Sequence, residues 1–158
     1  MEHAAKTDSN PIQQWVTFKL GDETYAINVM QVQEVLRVTE IAPVPGAPDF
    51  VLGIINLRGN VVTVMDARKR IHLESRDVDD DSRIVIIEAG NQVVGILVDC
   101  VAEVLDVEDG EIEPAPNVGN DESSKYIQGV VNRDHALIIL MDLDKLLSEE
   151  EWMEVAAI

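Results

Sequence analysis

Residues 20–38, "LGDETYAINVMQVQEVLRV", recur without a gap as residues 89–107, "AGNQVVGILVDCVAEVLDV". Eight of the nineteen positions are identical, including the shared core "V-x-E-V-L-x-V". The match then continues in order. "IAPVP" (residues 41–45) lies against "IEPAP" (112–116), and "FVLGIINLRGNVVTVMD" (50–66) against "YIQGVVNRDHALIILMD" (126–142). Self-similarity that keeps its order along the chain marks an internal duplication. Copy one covers about residues 13–74 and copy two about 83–147, joined by the acidic segment 75–82.

Each copy reads as mainly β. "WVTFKL" (15–20) and "RIVIIE" (83–88) predict first strands that turn at Gly21-Asp22 and Gly90-Asn91 into the return strands "TYAINV" and "QVVGILV". Val29, Val32 and Leu36 fall at helical spacing and predict a short helix over about residues 30–36. The equivalent Val-rich stretch 101–107 predicts a bent strand instead. Proline makes the connectors extended, since it cannot donate to a central ladder. A strand, a turn beginning at Asn56 or Asn132 and another strand complete each unit, and Asp66 and Asp142 stand where they would cap short helices. About five short strands per copy predict two related five-stranded β-barrels of SH3 or OB type with short helices. Duplicated units can exchange strands, so a sequence copy need not be a spatial barrel. "SEEEWMEVAAI" (148–158) predicts a C-terminal helix capped by Ser148, and residues 1–12 a disordered tail.

Composition narrows the function. A chain of 158 residues with a net charge of −18 is unsuited to phosphate backbones or anionic membrane surfaces and favours partners with basic patches. The lone Cys100 permits no internal disulfide. No signal-peptide pattern opens the chain, and no apolar run nears the ~20 residues of a membrane span, so a cytoplasmic protein without direct membrane insertion is expected.

Enzyme signatures are weak. Asp77, Asp79, Asp81 and Glu88 mimic calcium-loop spacing, but Ser82 replaces the required glycine and a strand follows at once; a solvated linker is the better account. His3, His72 and His135 accompany no nucleophile elbow or paired carboxylates, and Cys100 suits packing. No glycine-rich loop precedes a helix. No catalytic residue, metal or cofactor is expected.

The turn "NLRGN" (56–60) exceeds what a turn needs, whereas its counterpart "NRDHA" (132–136) does not. Leu57 would be an apolar side chain at a hairpin tip, and Arg58 brings a planar five-donor fork to the surface. The bland account is that Arg58 pairs with one of the chain's own carboxylates, which is worth little. The Leu-Arg-Gly excess in one copy predicts a binding surface instead, with the guanidinium of Arg58 facing a partner.

"FVLGIINLRGNVVTVMDARKR", "INVMQVQEVL", "QVVGILVDCVAEVL" and "YIQGVV…LIILMDLDKLL" together resemble the CheW family of bacterial chemotaxis coupling proteins, over about residues 13–147. Thr63 departs from the proline common at that position in the family. The resemblance implies two five-stranded barrels around a shared apolar core and a non-catalytic scaffold. It would bridge the helical cytoplasmic tips of chemoreceptors to the regulatory domain of the histidine kinase CheA, recruited to membrane-associated receptor arrays. It also implies a receptor groove between the barrels, with Val32, Glu34, Gly53, Arg58 and Gly59 at coupling positions; Leu57 is counted with these partner-binding residues, a core role being the alternative. Gly95 and Val104 map likewise in copy two, as either fold or contact residues. A chain ending at Ile158 leaves no room for a receiver or kinase domain, which suggests a free-standing adaptor. Two alternatives remain: a CheW-like coupler in another chemosensory pathway, such as twitching motility or development, and an uncharacterised small-barrel enzyme.

Overall fold

The computed structural model describes residues 11–74, 76–114 and 125–158. Copy one contributes β1 (Ile12–Leu20), β2 (Glu23–Asn28), β3 (Val32–Arg37), β4 (Val51–Leu57) and β5 (Asn60–Asp66), followed by the one-turn helix α1 (Ala67–Arg70). Copy two contributes β6 (Arg83–Ala89), β7 (Gln92–Val98), β8 (Cys100–Glu108), β9 (Ile127–Arg133) and β10 (Ala136–Met141), and α2 (Glu149–Ala156) ends the chain.

The strands form two five-stranded sheets, ordered β8-β1-β2-β10-β9 and β3-β6-β7-β5-β4. Replacing each strand by its counterpart in the other copy converts one order into the other, so the sheets are pseudo-equivalent. Neither sheet is a sequence copy. Each joins the first hairpin of one copy to the last three strands of the other, and the ladders β1–β8, β2–β10, β3–β6 and β5–β7 all cross between copies. The duplication is therefore strand-exchanged.

The sheets curl without a continuous closing ladder. Beyond β3, Ala42 forms an isolated bridge with Ile54 of β4, and in the other sheet Glu113 pairs with Val130 of β9. Both bridges need a glycine beside them. A Cβ on Gly53 would stand 2.1 Å from the Ala42 carbonyl oxygen, and one on Gly129 2.7 Å from Ile112 and 3.0 Å from the Glu113 carbonyl oxygen.

Burial follows this curl. Ile84 and Ile86 of β6 point into the small core of their own sheet with Ile55, Val62 and Val64. The alternating Val85 and Ile87 point into a larger core shared with Phe18, Leu20, Ile27 and Met65. Burial on both faces explains why "RIVIIE" is almost wholly apolar. The sheet β8-β1-β2-β10-β9 encloses Trp15, Ala26, Val107, Val131 and Leu140.

The helix expected over residues 30–36 is absent: Val29–Gln31 form a single 3-10 turn capped by Asn28, and β3 begins at Val32. Valine at i and leucine at i+4 suit either period over so short a window, and β-branched Val32 and Val35 fit a strand. Asp66 and Asp142 do cap short helical turns, accepting from the Arg68 and Asp144 N–H groups. Ser148 and Glu151 form a capping box that starts α2. Of the expected tail, residues 1–10 lie outside the described residues, and β1 already begins at Ile12.

Candidate partner-binding surface

The β4–β5 hairpin turns through Arg58 and Gly59, both at positive φ (51° and 89°), as a tight two-residue hairpin with right-handed strand twist demands. Asn56 is the last polar residue of the strand rather than a residue of the turn itself. Its Oδ1 accepts the Gly59 N–H at 2.8 Å and braces the hairpin. Leu57 is not an exposed tip residue: it is half-buried against Ile55 and Val62, so its apolar character belongs to the core.

Arg58 reaches from this turn to Glu34 on β3, the opposite edge of the same sheet. Nη1 donates to Oε1 at 3.2 Å and Nη2 donates to Oε2, a two-pronged pair. Those hydrogen bonds and the adjacent positive charge hold the Glu34 carboxyl below the usual glutamate range. The expectation that the guanidinium turns away from its own surface is thus corrected. The 68% exposed Arg58 side chain and Glu34 form one joint surface feature.

Copy two achieves a similar tie with a different residue. Its turn uses Asp134 and His135, again at positive φ. Arg133, aligned with Leu57, donates to both carboxylate oxygens of Glu111 at 2.9 and 3.1 Å and to the Asp106 carbonyl. Sequence reasoning passed over this second arginine because it sits one position out of register with Arg58.

The remaining predicted residues divide by burial. Gly53 and Gly95 are buried and have packing reasons to be glycine: a Cβ on Gly95 would stand 2.9 Å from Ile84 and 3.3 Å from Ile86. Val32 and its counterpart Val101 are both partly covered and rest on the shared core. Gly59 is exposed beside Arg58. Val104 is exposed on β8, an edge strand of the other sheet, and its counterpart Val35 is exposed on β3.

One polar cluster ties the copies together. Asp99, between β7 and β8, accepts from Arg68 Nε and Nη2 at 2.8 and 2.6 Å, from the Gly21 N–H at 2.7 Å and from Arg76 at 3.0 Å. Burial alone would raise its pKa, but the Arg68 hydrogen bonds, the Gly21 N–H and the two arginine charges outweigh it and hold the carboxyl below the usual aspartate range. His72 lines a polar cleft of about 900 Å³ with Arg70, Tyr126 and α2 carboxylates; His135 does not reach it.

The CheW-like domain family matches residues 14–151. The chain belongs to the CheW-like family. It is 34% identical to the chemotaxis protein CheW of Rhizobium meliloti over 151 residues, covering 96% of this chain and 97% of the relative. It is also 27% identical to protein FrzA of Myxococcus xanthus, covering 98% of each. The crystal structure of the scaffolding protein TtCheW from Thermoanaerobacter tengcongensis superposes with a TM-score of 0.80 at 35% identity, covering 88% of this chain and 94% of that one. As a CheW-like protein the chain is a chemotaxis adaptor and not an enzyme. No helix among the described residues is long and apolar enough to cross a membrane.

Proposed function

We propose that this CheW-like adaptor couples the cytoplasmic tips of chemoreceptors to the regulatory domain of the kinase CheA within receptor arrays at the membrane. The observation that carries the assignment of surfaces is the pair of matched sheets, whose edges β3 and β8 present Val35 and Val104 at aligned positions. Two exposed edges on one rigid body give two partners fixed relative geometry, and a bridge acts by raising effective concentration. Val32 and Val101 rest on the shared core from the two sheets and supply apolar contact for a receptor helix between them. Glu34, Arg58 and Gly59 mark one rim, and Val104 the other edge.

Reconstitution tests this. The adaptor should raise kinase output only when receptor fragment and CheA are both present; activation of CheA without receptor would overturn the coupling role. The similarity to FrzA supports a second reading, a coupler in a different chemosensory pathway. Identifying which receptors and kinase co-purify from the native cell decides between the two.

A further inference from the structure

Thr17 of β1 is only 2% exposed, and its hydroxyl bonds twice to one backbone residue of the neighbouring edge strand. Oγ1 donates to the Glu103 carbonyl at 2.9 Å and accepts the Glu103 N–H at 3.0 Å. The contact lies in a β-bulge. Val16 pairs with Val104 and Phe18 with Val101, so Ala102 and Glu103 together face Thr17 alone. A bulge interrupts the ladder, and one hydroxyl that both donates and accepts restores both groups of Glu103.

The other sheet has the same bulge. Val32 pairs with Ile87 and Glu34 with Ile86, leaving Gln33 over. The residue aligned with Thr17 there is Ile86, which carries no hydroxyl. Downstream, the aligned glutamates meet different fates. Arg58 occupies the Glu34 carboxylate. Glu103 is exposed, and the turn residue aligned with Arg58 is Asp134, an anion that cannot supply the cation Arg58 supplies to Glu34. Beside Glu103, Val104 is 52% exposed, against 40% for Val35.

We propose that Thr17 is a positioning residue that fixes the Glu103–Val104 step on β8, making two matched sheet edges chemically distinct. The β3 edge shows a neutralised Glu34–Arg58 pair, and the β8 edge shows the exposed Glu103 carboxylate, with no ion pair among the described residues, beside an apolar side chain. The β8 edge therefore suits a protein surface carrying a Lys or Arg next to an apolar residue. This rests on the adaptor reading for its partners, but the positioning itself is a property of the free protein.

Thr17→Val keeps the shape and removes both hydrogen bonds, whereas Thr17→Ser keeps the hydroxyl. Amide exchange in the free protein, resolved by NMR, should quicken at least tenfold at Glu103 in Thr17→Val, remain unchanged at Val35 and Leu36, and return to normal in Thr17→Ser. Affinity should fall at least fivefold for one of two fragments, receptor tip or CheA regulatory domain, and stay within twofold for the other. Uniform acceleration across both sheets would reduce Thr17 to a general stabiliser and overturn the proposal. So would local acceleration with both affinities unchanged. If wild type binds neither fragment, the adaptor reading fails, and the exchange pattern alone still supports or overturns the positioning role.

Discussion

Glu34 on β3 and Arg58 in the β4–β5 turn stand on opposite edges of one five-stranded sheet and join them by a two-pronged ion pair. The pair is exposed, so water screens it and its contribution to stability is small. Its geometry has more consequence than its energy. The fork holds a cation and an anion at a fixed spacing where the sheet edges meet, which is a display that a partner can read.

Arg58→Ala should therefore leave the thermal midpoint close to wild type while weakening binding to receptor tip or kinase regulatory domain at least tenfold, as at an interface hot spot. Arg58→Lys should rescue in part, because a point charge cannot reproduce a fork. The exchange Glu34→Arg with Arg58→Glu keeps a pair but inverts the display, and should restore neither affinity. Thermal unfolding and titration calorimetry on the same proteins separate the roles. Loss of folding with normal affinity among folded molecules would make the pair a brace only.

The buried counterpart behaves differently. Asp99 and Arg68 have side chains only 10% and 14% exposed, and Asp99→Asn leaves Arg68 without its ionic partner. Breaking such a pair should cost about 3 kcal/mol. The pH dependence has a definite sign. The folded pKa of Asp99 lies below the ordinary aspartate value of about 3.9, so the unfolded state takes up the proton first. The stabilisation is complete above about pH 5 and is lost as pH falls through the folded pKa. Denaturant titrations between pH 3 and 7 should show a shallower acid limb in Asp99→Asn than in wild type; parallel limbs would count against this assignment.

How much of this was legible in the sequence depended on the range of each contact. The duplication was, because identities survive in order, and so was α2, because Ser148 and Glu151 form a local capping box. The exchange of strands was not: copies with the same apolar pattern satisfy either pairing, so the sequence permits it without requiring it. The β3 error came from a window in which i and i+4 fit both periods. Glu34 and Arg58 were both candidates, but their pairing joins residues 24 apart on opposite edges and becomes visible only once the sheet order is known. Thr17 was invisible for the same reason, as its partner Glu103 is 86 residues away.

Glycines test the division between fold and contact. Gly53→Ala places a Cβ against the Ala42 carbonyl oxygen at φ +154°, where a side chain is strained whatever the space, and should abolish soluble folded protein. Gly95→Ala meets movable side chains instead and should cost about 1–3 kcal/mol, as for overpacking. Folded Gly95→Ala protein should bind both partners normally. Reduced affinity with unchanged stability, measured by calorimetry and chemical denaturation, would make Gly95 a contact residue after all.

The exchanged topology predicts what happens when the chain is cut. A protease site introduced within residues 76–82 opens the only covalent link between the copies, yet four ladders still run from one half to the other. The shared core likewise draws on both halves, with Phe18, Ile27 and Met65 against Val85, Ile96 and Met141. Cleaved protein should elute from size exclusion at the position of the intact chain, and separate only in denaturant. Its unfolding should remain a single transition that has become concentration-dependent, because unfolding now releases two chains. Arg76 lies at the edge of the cut segment and binds Asp99, so a cut at Asp80-Asp81, beyond that contact, is the gentler version. Two halves that part under native conditions, each retaining strand structure by circular dichroism, would mean that each copy folds by itself and that the exchange between sheets is wrong.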